Sequence, residues 1–296
     1  IVENAEVTKI TIRGGGARGV ELADGTRFEG RAIITSTDPP TTFLKLVGEE
    51  VCNRVSKTLV KVVKNWEWES SSLFGVHLAL SEPPRYKAND SDASVGQAFI
   101  KIIGFDSRDE LLSHIEGVKK GKMSFGGHTS TMSDFDPQQA PTDVFPGVAA
   151  ARWESMAPYK PKEGEWDKLA ENYADEVLSK WKEYAPNLAK AKVIRRYVYP
   201  PTYIEQKLVN MVRGSIKHGA YISTQMGAFR PNIDCSKCAT PIDGLYLCGA
   251  SSYPGGMILL GGGYIAAGVV ADALGLKRWW VEPDSMKRAR ERSLIA

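Results

Sequence analysis

Cysteine is scarce in this chain: four in 296 residues, at positions 52, 235, 238 and 248. Only Cys235-Ser-Lys-Cys238 has a close spacing, and no second pair or paired histidines accompany it, so the four ligands of a structural zinc site are not at hand. Few cysteines in mostly apolar surroundings suit a reducing compartment, and a cytoplasmic location is expected. Charge of one sign is lacking too: the net charge of +3 is thinly spread and gives no reason to invoke nucleic acid. Its one basic cluster, Lys287, Arg288, Arg290 and Arg292, is interrupted by Glu291 and reads as a solvated helical tail. No apolar run reaches the roughly twenty charge-free residues of a membrane span, and no secretory signal opens the chain. Neither a Ser-His-Asp set nor a metal-ligand cluster is evident.

What is present is a chain of 43% apolar and 25% charged residues, the balance of a soluble globular protein large enough for one large or two ordinary domains. Its organising stretch is Leu245 to Leu276. Leu245–Cys248 is a short apolar run of strand character; Gly249, Ala250, Ser251, Ser252, Tyr253, Pro254, Gly255 and Gly256 form a loop of small residues; an apolar, alanine-rich helix then runs from about Met257 to Leu274. Gly275 stands where a helix C-cap wants positive φ. Such a strand, glycine loop and buried helix lets backbone approach a ligand closely and aims free N–H groups at it. A tightly packed corner of any α/β protein is the competing reading.

Upstream, Val7–Ile12, Gly19–Leu22 and Thr26–Ile34 alternate around a triple-glycine turn and an Asp24-Gly25 turn, a three-strand meander. Phe43–Val55 reads as helix, Lys57–Glu69 and Leu73–Leu80 as strands, Ala98–Gly104 as a strand, Ser107–His114 as a helix and Lys122–Thr131 as a strand. Gly164–Tyr184 carries Trp166, Leu169, Tyr173, Val177, Trp181 and Tyr184 at three- and four-residue steps, an amphipathic helix stopped by Pro186. Core packing of its aromatic stripe is favoured over a peripheral membrane contact, because the opposite face mixes acids and bases. Val193–Tyr199 is a further strand, and a helix begins at Pro200–Glu205. The histidines at 77, 114, 128 and 218 are isolated. Arg152 and Arg230 suit ion pairs or an anionic ligand, with a structural pair the favoured reading.

Asp243-Gly-Leu-Tyr-Leu-Cys-Gly-Ala-Ser-Ser-Tyr-Pro-Gly-Gly256 resembles the C-terminal flavin-binding signature of phytoene desaturase-like FAD-dependent oxidoreductases, within the flavin amine oxidase group. Ile33-Ile-Thr-Ser-Thr-Asp-Pro39, the Asp136-Pro and Ala140-Pro pairs, Gly214–Gly219 and Gln225–Pro231 resemble further segments of that family. The sequence departs from the family's usual glycine at Met257 and histidine at Tyr253. The resemblance implies an α/β fold with an α+β substrate domain: an incomplete Rossmann-like FAD-binding domain with its β-meander, plus a mixed-sheet substrate domain. It divides the chain into 1–40 (partial FAD-binding domain), 41–220 (substrate-binding domain), 221–280 (C-terminal FAD-binding segment) and a tail, 281–296. FAD is the implied cofactor, with Gly249, Ala250, Ser251, Gly256, Met257 and Ile258 along it and Tyr253 and His218 toward the substrate. No catalytic residue and no metal ligand are assigned.

No Gly-x-Gly-x-x-Gly that opens a helix after a strand, and so could grip the ADP half of the cofactor, occurs before Leu245; the triple glycine at 14–16 is followed by another strand and is read as a turn. The chain begins in mid-pattern at Ile1, and the expectation is a C-terminal half to two-thirds of such an enzyme, inactive alone. The missing segment would belong to the same polypeptide or to a partner. A hydrophobic substrate undergoing desaturation is implied; an amine oxidase on the same scaffold and a non-catalytic assembly component are the alternatives.

Overall fold

The computed structural model describes residues 1–141, 143, 145–256 and 260–293. In chain order it contains β1 (Val7–Arg13), β2 (Gly16–Leu22), β3 (Arg27–Glu29), β4 (Ile33–Thr35), a π-helical segment (Pro40–Gly48), α1 (Glu49–Val55), α2 (Lys57–Lys64), β5 (Ser71–Leu80) and β6 (Lys101–Ile103). There follow α3 (Arg108–Lys119), β7 (Gly127–Thr131), β8 (Ala149–Pro158), α4 (Trp166–Tyr184), β9 (Val193–Tyr199), α5 (Pro201–Lys207), β10 (Leu245–Leu247), α6 (Gly261–Ala273) and α7 (Asp284–Glu291). The fold is α/β. Two compact units divide it, Ile1–Glu67 with Lys217–Ala296, and Trp68–Ile216.

The first unit opens with the expected meander, β1-β2-β3, antiparallel throughout. Gly14 and Gly15 turn β1 into β2 at φ of 57° and 82°, a left-handed pair that side chains resist. β4 then lies parallel to β10, with Ile33 opposite Leu245 and Thr35 opposite Leu247. Phe43, Val47, Leu59, Val60 and Val63 share one core with Ile10, Leu245 and Leu247. The segment 41–67, expected in the substrate domain, therefore packs with the meander and β10.

Lys57–Glu69 is a correction: its first eight residues are α2, not strand. Three valines argue for strand by propensity. Yet Ser56 caps the segment, its Oγ accepting from the Leu59 N–H at 3.1 Å, and Leu59, Val60 and Val63 bury one helical face. Burial at helical spacing and a good N-cap outweigh β-branching here.

In the second unit five strands make one sheet in the order β6-β7-β8-β5-β9. The sheet expected as mixed is antiparallel at each of its four ladders. Antiparallel sheets tolerate one packed face and one partly solvated face, and here α4 packs on one face only. Its Trp166, Tyr173, Val177 and Trp181 join Phe74, Val76, Leu78 and Trp153 in a single core. The aromatic stripe is thus core packing: Phe74 lies 5.3 Å from Trp166 and 4.6 Å from Tyr173, ring to ring. Among the described residues no helix is long and apolar enough to cross a membrane.

Candidate functional site at the ends of the two parallel strands

Parallel β4 and β10 send their following loops out of the same edge, the place where α/β sheets bind ligands. Cys248 N–H extends the pairing by donating to Thr35 O at 2.8 Å. Gly249 follows at φ 83°, and a Cβ there would stand 3.4 Å from Ser36 beyond β4. Ser251 Oγ bonds Thr37 O at 3.3 Å, Ser252 Oγ bonds Gly249 O at 2.8 Å, and Gly256 N–H closes the loop on Ala250 O at 3.1 Å. The loop is a fixed structure.

Arg230 fixes it from the other side. The residue is fully buried; its Nε donates to Ala250 O at 2.8 Å, one terminal nitrogen to Gln225 O at 2.8 Å and the other to Lys217 O at 2.5 Å. The guanidinium lies 5.3 Å from the Trp66 ring and 5.2 Å from the Tyr221 ring, stacking that adds to the hydrogen bonds. Main-chain carbonyls and two aromatic faces hold the side chain that sequence reading offered to an ion pair.

His218, held between Lys217 and Gly219, is buried and adopts φ 53°. Burial holds its imidazole below the usual range; the Arg230 charge acts in the same sense and Asp38 opposes both. Asp38 is itself fully buried at the end of β4. One of its oxygens accepts from Thr41 N–H at 2.8 Å, while its Oδ2 and the Nδ1 of His218 have no hydrogen-bond partner. Two orphaned polar atoms in one region need a partner, since an unmatched buried polar group costs about 1–3 kcal/mol. In the sequence Asp38 stands out only as part of the Ile33–Pro39 segment, three residues past the end of β4, and nothing there marks its carboxylate as buried.

The first turn of α6 completes the site. Gly262 backs onto the loop, where a Cβ would come within 3.1 Å of Gly249 N. A Cβ at Gly256 would collide with the Tyr221 hydroxyl, and one at Gly255, where φ is 116°, would crowd Arg230 and Met226 at 3.0 Å. Gly263 differs: it is exposed and a Cβ there would meet nothing within 4 Å, so packing among the described residues does not require glycine at that position.

Of the residues expected at the cofactor or substrate, Gly249, Ala250, Ser251 and Gly256 form this loop, and Arg230 links Ala250 to the carbonyls flanking His218. Tyr253 stands on the loop's outer side, 37% exposed. Met257 and Ile258 lie outside the described residues.

The second unit gathers other ionisable groups. Glu154 on β8 accepts from His128 Nε2 at 2.9 Å and from the Tyr199 hydroxyl at 2.7 Å, with an Arg152 nitrogen 3.6 Å away. The hydrogen bond from His128, then those from Tyr199 and the Arg152 charge, overcome burial and hold its carboxyl at about 2. A carboxyl depressed in the fold stabilises it above the unfolded value and ceases to do so as pH falls through the folded one. Stability should therefore drop between pH 4.5 and about 2 in the wild type, and Glu154→Gln should flatten that segment of an acid-unfolding curve. Superimposable curves would remove Glu154 from the acid response.

No family model matches the sequence. Individual relatives do. The chain is 47% identical over its whole length to a limonene dehydrogenase subunit of Castellaniella defragrans, covering 55% of that protein. It is 28% identical over 89% of its length to the mouse pyridine nucleotide-disulfide oxidoreductase domain-containing protein 2, covering 45% of it. It is 24% identical over 91% of its length to the neurosporene-forming phytoene desaturase of Rhodobacter capsulatus, covering 49% of it. The chain spans about half the length of the curated relatives it matches. In fold it is similar to an oxidoreductase from Methanosarcina mazei (TM-score 0.52, 18% identity, 90% of this chain and 49% of that one) and to a putrescine oxidase variant (TM-score 0.51, 10% identity, 91% and 49%). The chain is thus similar along its whole length to a limonene dehydrogenase subunit and over most of it to a phytoene desaturase, and its α/β fold is like that of solved oxidoreductases, a set of likenesses consistent with the phytoene desaturase-like group.

Proposed function

We propose that the loop Gly249–Gly256 and the first turn of α6 lie along the isoalloxazine and ribityl parts of FAD, in an oxidoreductase that removes hydrogen from a hydrophobic substrate. The observation that carries this reading is the open glycine at 263 on a helix start that stands behind parallel β4 and β10. The polar set suits the group: Asp38 Oδ2 and His218 Nδ1 are buried polar atoms without partners, within the reach that ribityl hydroxyls would need, and the positive end of a helix favours charge growing on the pyrimidine edge of a flavin.

When bound, FAD would supply hydride acceptance, chemistry that no side chain offers. The chain's own residues hold and shape the site. Arg230 fixes Ala250 and the Lys217–Gly219 turn, Gly249 and Gly262 bring loop and helix into contact, and buried Asp38 and His218 keep polar atoms ready where water is excluded. The second unit is the substrate-binding part in this reading. The ADP half of the cofactor is held by a dinucleotide-binding segment, on the same polypeptide or on a partner. The Castellaniella relative is named as one subunit of its enzyme, which favours a multi-chain assembly.

Purification from the native source tests this. The expected product is yellow, releases FAD on denaturation, and yields peptides of a strand–Gly-x-Gly-x-x-Gly–helix segment in the same or an accompanying chain. A colourless preparation that added FAD does not reconstitute would overturn the reading. A peroxide-coupled screen of amines beside an anaerobic screen of alkenes separates amine oxidation from desaturation.

A further inference from the structure

The last residue of α3 is Lys119, and the chain turns there through Lys120 and Gly121, the glycine at φ 83°. Main-chain bonds close the turn: Gly121 N–H donates to Val118 O at 3.0 Å and Lys122 N–H to Gly117 O at 2.9 Å. The segment leaving β8 packs on it, with Lys162 N–H donating to Gly121 O at 2.8 Å. A Cβ at 121 would stand 3.1 Å from Lys160 O, so both the φ and this approach call for glycine. Backbone geometry thus brings two lysine pairs together, 119 with 120 and 160 with 162.

These four lysines and Arg213 line a cavity of about 330 Å³ within the second unit, and the other side chains at it are Glu69, Ser70 and Tyr159. Glu69 is the one carboxylate of the lining, and it accepts from Ser215 Oγ at 3.4 Å. Tyr159 adds no negative charge, because burial and then Glu205 push its hydroxyl up to about 12. Glu205, outside the lining, accepts from that hydroxyl and from the Arg213 N–H, the latter at 2.8 Å. Lys120 has Glu116 at 3.8 Å, an exposed pair of little worth. Among the described residues Lys119, Lys160, Lys162 and the Arg213 guanidinium have no ion-pair partner.

Five cations against one carboxylate, in a chain whose net charge is only +3, concentrate positive charge at this one place. A cationic ligand would be repelled. A hydrocarbon or a neutral alcohol would take water from the ammonium groups and return no charge. A single carboxylate would answer one cation of several that stand on three separate stretches of chain. Lysines are point charges with rotatable donors, suited to oxygens arrayed around a tetrahedral centre, whereas planar carboxylates match the guanidinium fork; four of the five cations here are lysines. The volume is that of a small-molecule site.

We propose that this cavity binds a compact, multiply charged phosphate anion, a diphosphate group either free or carried on a larger molecule. The site lies wholly within the second unit and does not rest on the flavin reading.

Calorimetric titration of the intact protein, with any flavin it carries left in place, compares inorganic pyrophosphate, orthophosphate, citrate and acetate at one ionic strength. Pyrophosphate should bind saturably and about tenfold or more tightly than each of the others, with affinity falling as salt rises. Lys160→Gln combined with Lys162→Gln, both at exposed positions, should weaken it about tenfold or more. Lys287→Gln with Arg288→Gln in α7 removes the same charge elsewhere and should change affinity by less than about twofold. Lysine acetylation mapped by mass spectrometry locates the site on the wild type, whatever the variants do: pyrophosphate should protect Lys119, Lys160 and Lys162. Competition by vesicles containing phosphatidic acid would assign the group to a lipid head, and its absence to a soluble ligand. No saturable binding, citrate binding as tightly as pyrophosphate, equal losses in the two double variants, or protection confined to other lysines would each overturn the proposal.

Discussion

Arg230→Ala is expected to destabilise the first unit by on the order of 4 kcal/mol, close to the largest effects seen for single substitutions. The guanidinium bonds the carbonyls of Ala250, Gln225 and Lys217 at 2.8 Å or less, and each hydrogen bond to a charged group contributes about 1.5–3 kcal/mol, although such terms do not add in full. Alanine would also leave a gap between the Trp66 and Tyr221 rings. Lysine carries the charge but has no planar fork to reach several carbonyls at once, so Arg230→Lys should recover less than half of the loss. Denaturant unfolding followed by circular dichroism measures both. A variant within about 1 kcal/mol of wild type would show that the loop does not rely on this side chain.

Trp181→Ala should cost the second unit about 3–5 kcal/mol, the range for removing a buried aromatic side chain from a packed core. Trp181 is fully buried, lies 6.0 Å from Trp153 and donates from Nε1 to the Tyr86 hydroxyl at 3.1 Å. The Tyr86 hydroxyl in turn meets Thr129 Oγ1 at 2.7 Å, which ties α4 to β7. Near-ultraviolet circular dichroism of the tryptophan cluster should flatten as the unfolding midpoint falls. A midpoint unchanged from wild type would mean that α4 is held by something other than its aromatic stripe.

Sequence periodicity locates α4, the meander and the strand–loop–helix around Gly249, because each repeats a strong pattern: aromatic residues at helical steps, alternation broken by glycine turns, and an apolar run ending in small residues. β8 is not legible in the same way. Its Ala149-Ala-Ala stretch has neither β-branched residues nor clear alternation of polarity, and it is a strand because it is paired on both edges, with β5 and β7. α2 reads wrongly as strand because its valines speak for strand one residue at a time, while the Ser56 cap and the common buried face are properties of the segment.

At the site, glycine spacing points to a loop that admits close approach, yet the sequence does not distinguish glycines that accommodate protein from one left open. Gly255 and Gly256 are explained by Arg230, Met226 and Tyr221, neighbours more than twenty residues away. The burial of Asp38 and the meeting of the lysines at 119–120 and 160–162 are three-dimensional facts of the same kind. Their chemistry depends on which atoms lack partners after folding.

That open glycine is where the flavin reading is most exposed. Gly263→Leu replaces glycine in a helix with a good helix former, a change of roughly 0.5–1 kcal/mol in favour of the fold, and among the described residues nothing beyond the helix's own turn and chain neighbours lies within 4 Å of the added Cβ. FAD affinity of wild type and variant, measured by quenching of flavin fluorescence on reconstituting the stripped intact protein, decides the matter. The expected result is a variant at least as stable as wild type that binds FAD tenfold or more weakly. Equal affinity in the two would contradict the placement of a flavin against the first turn of α6.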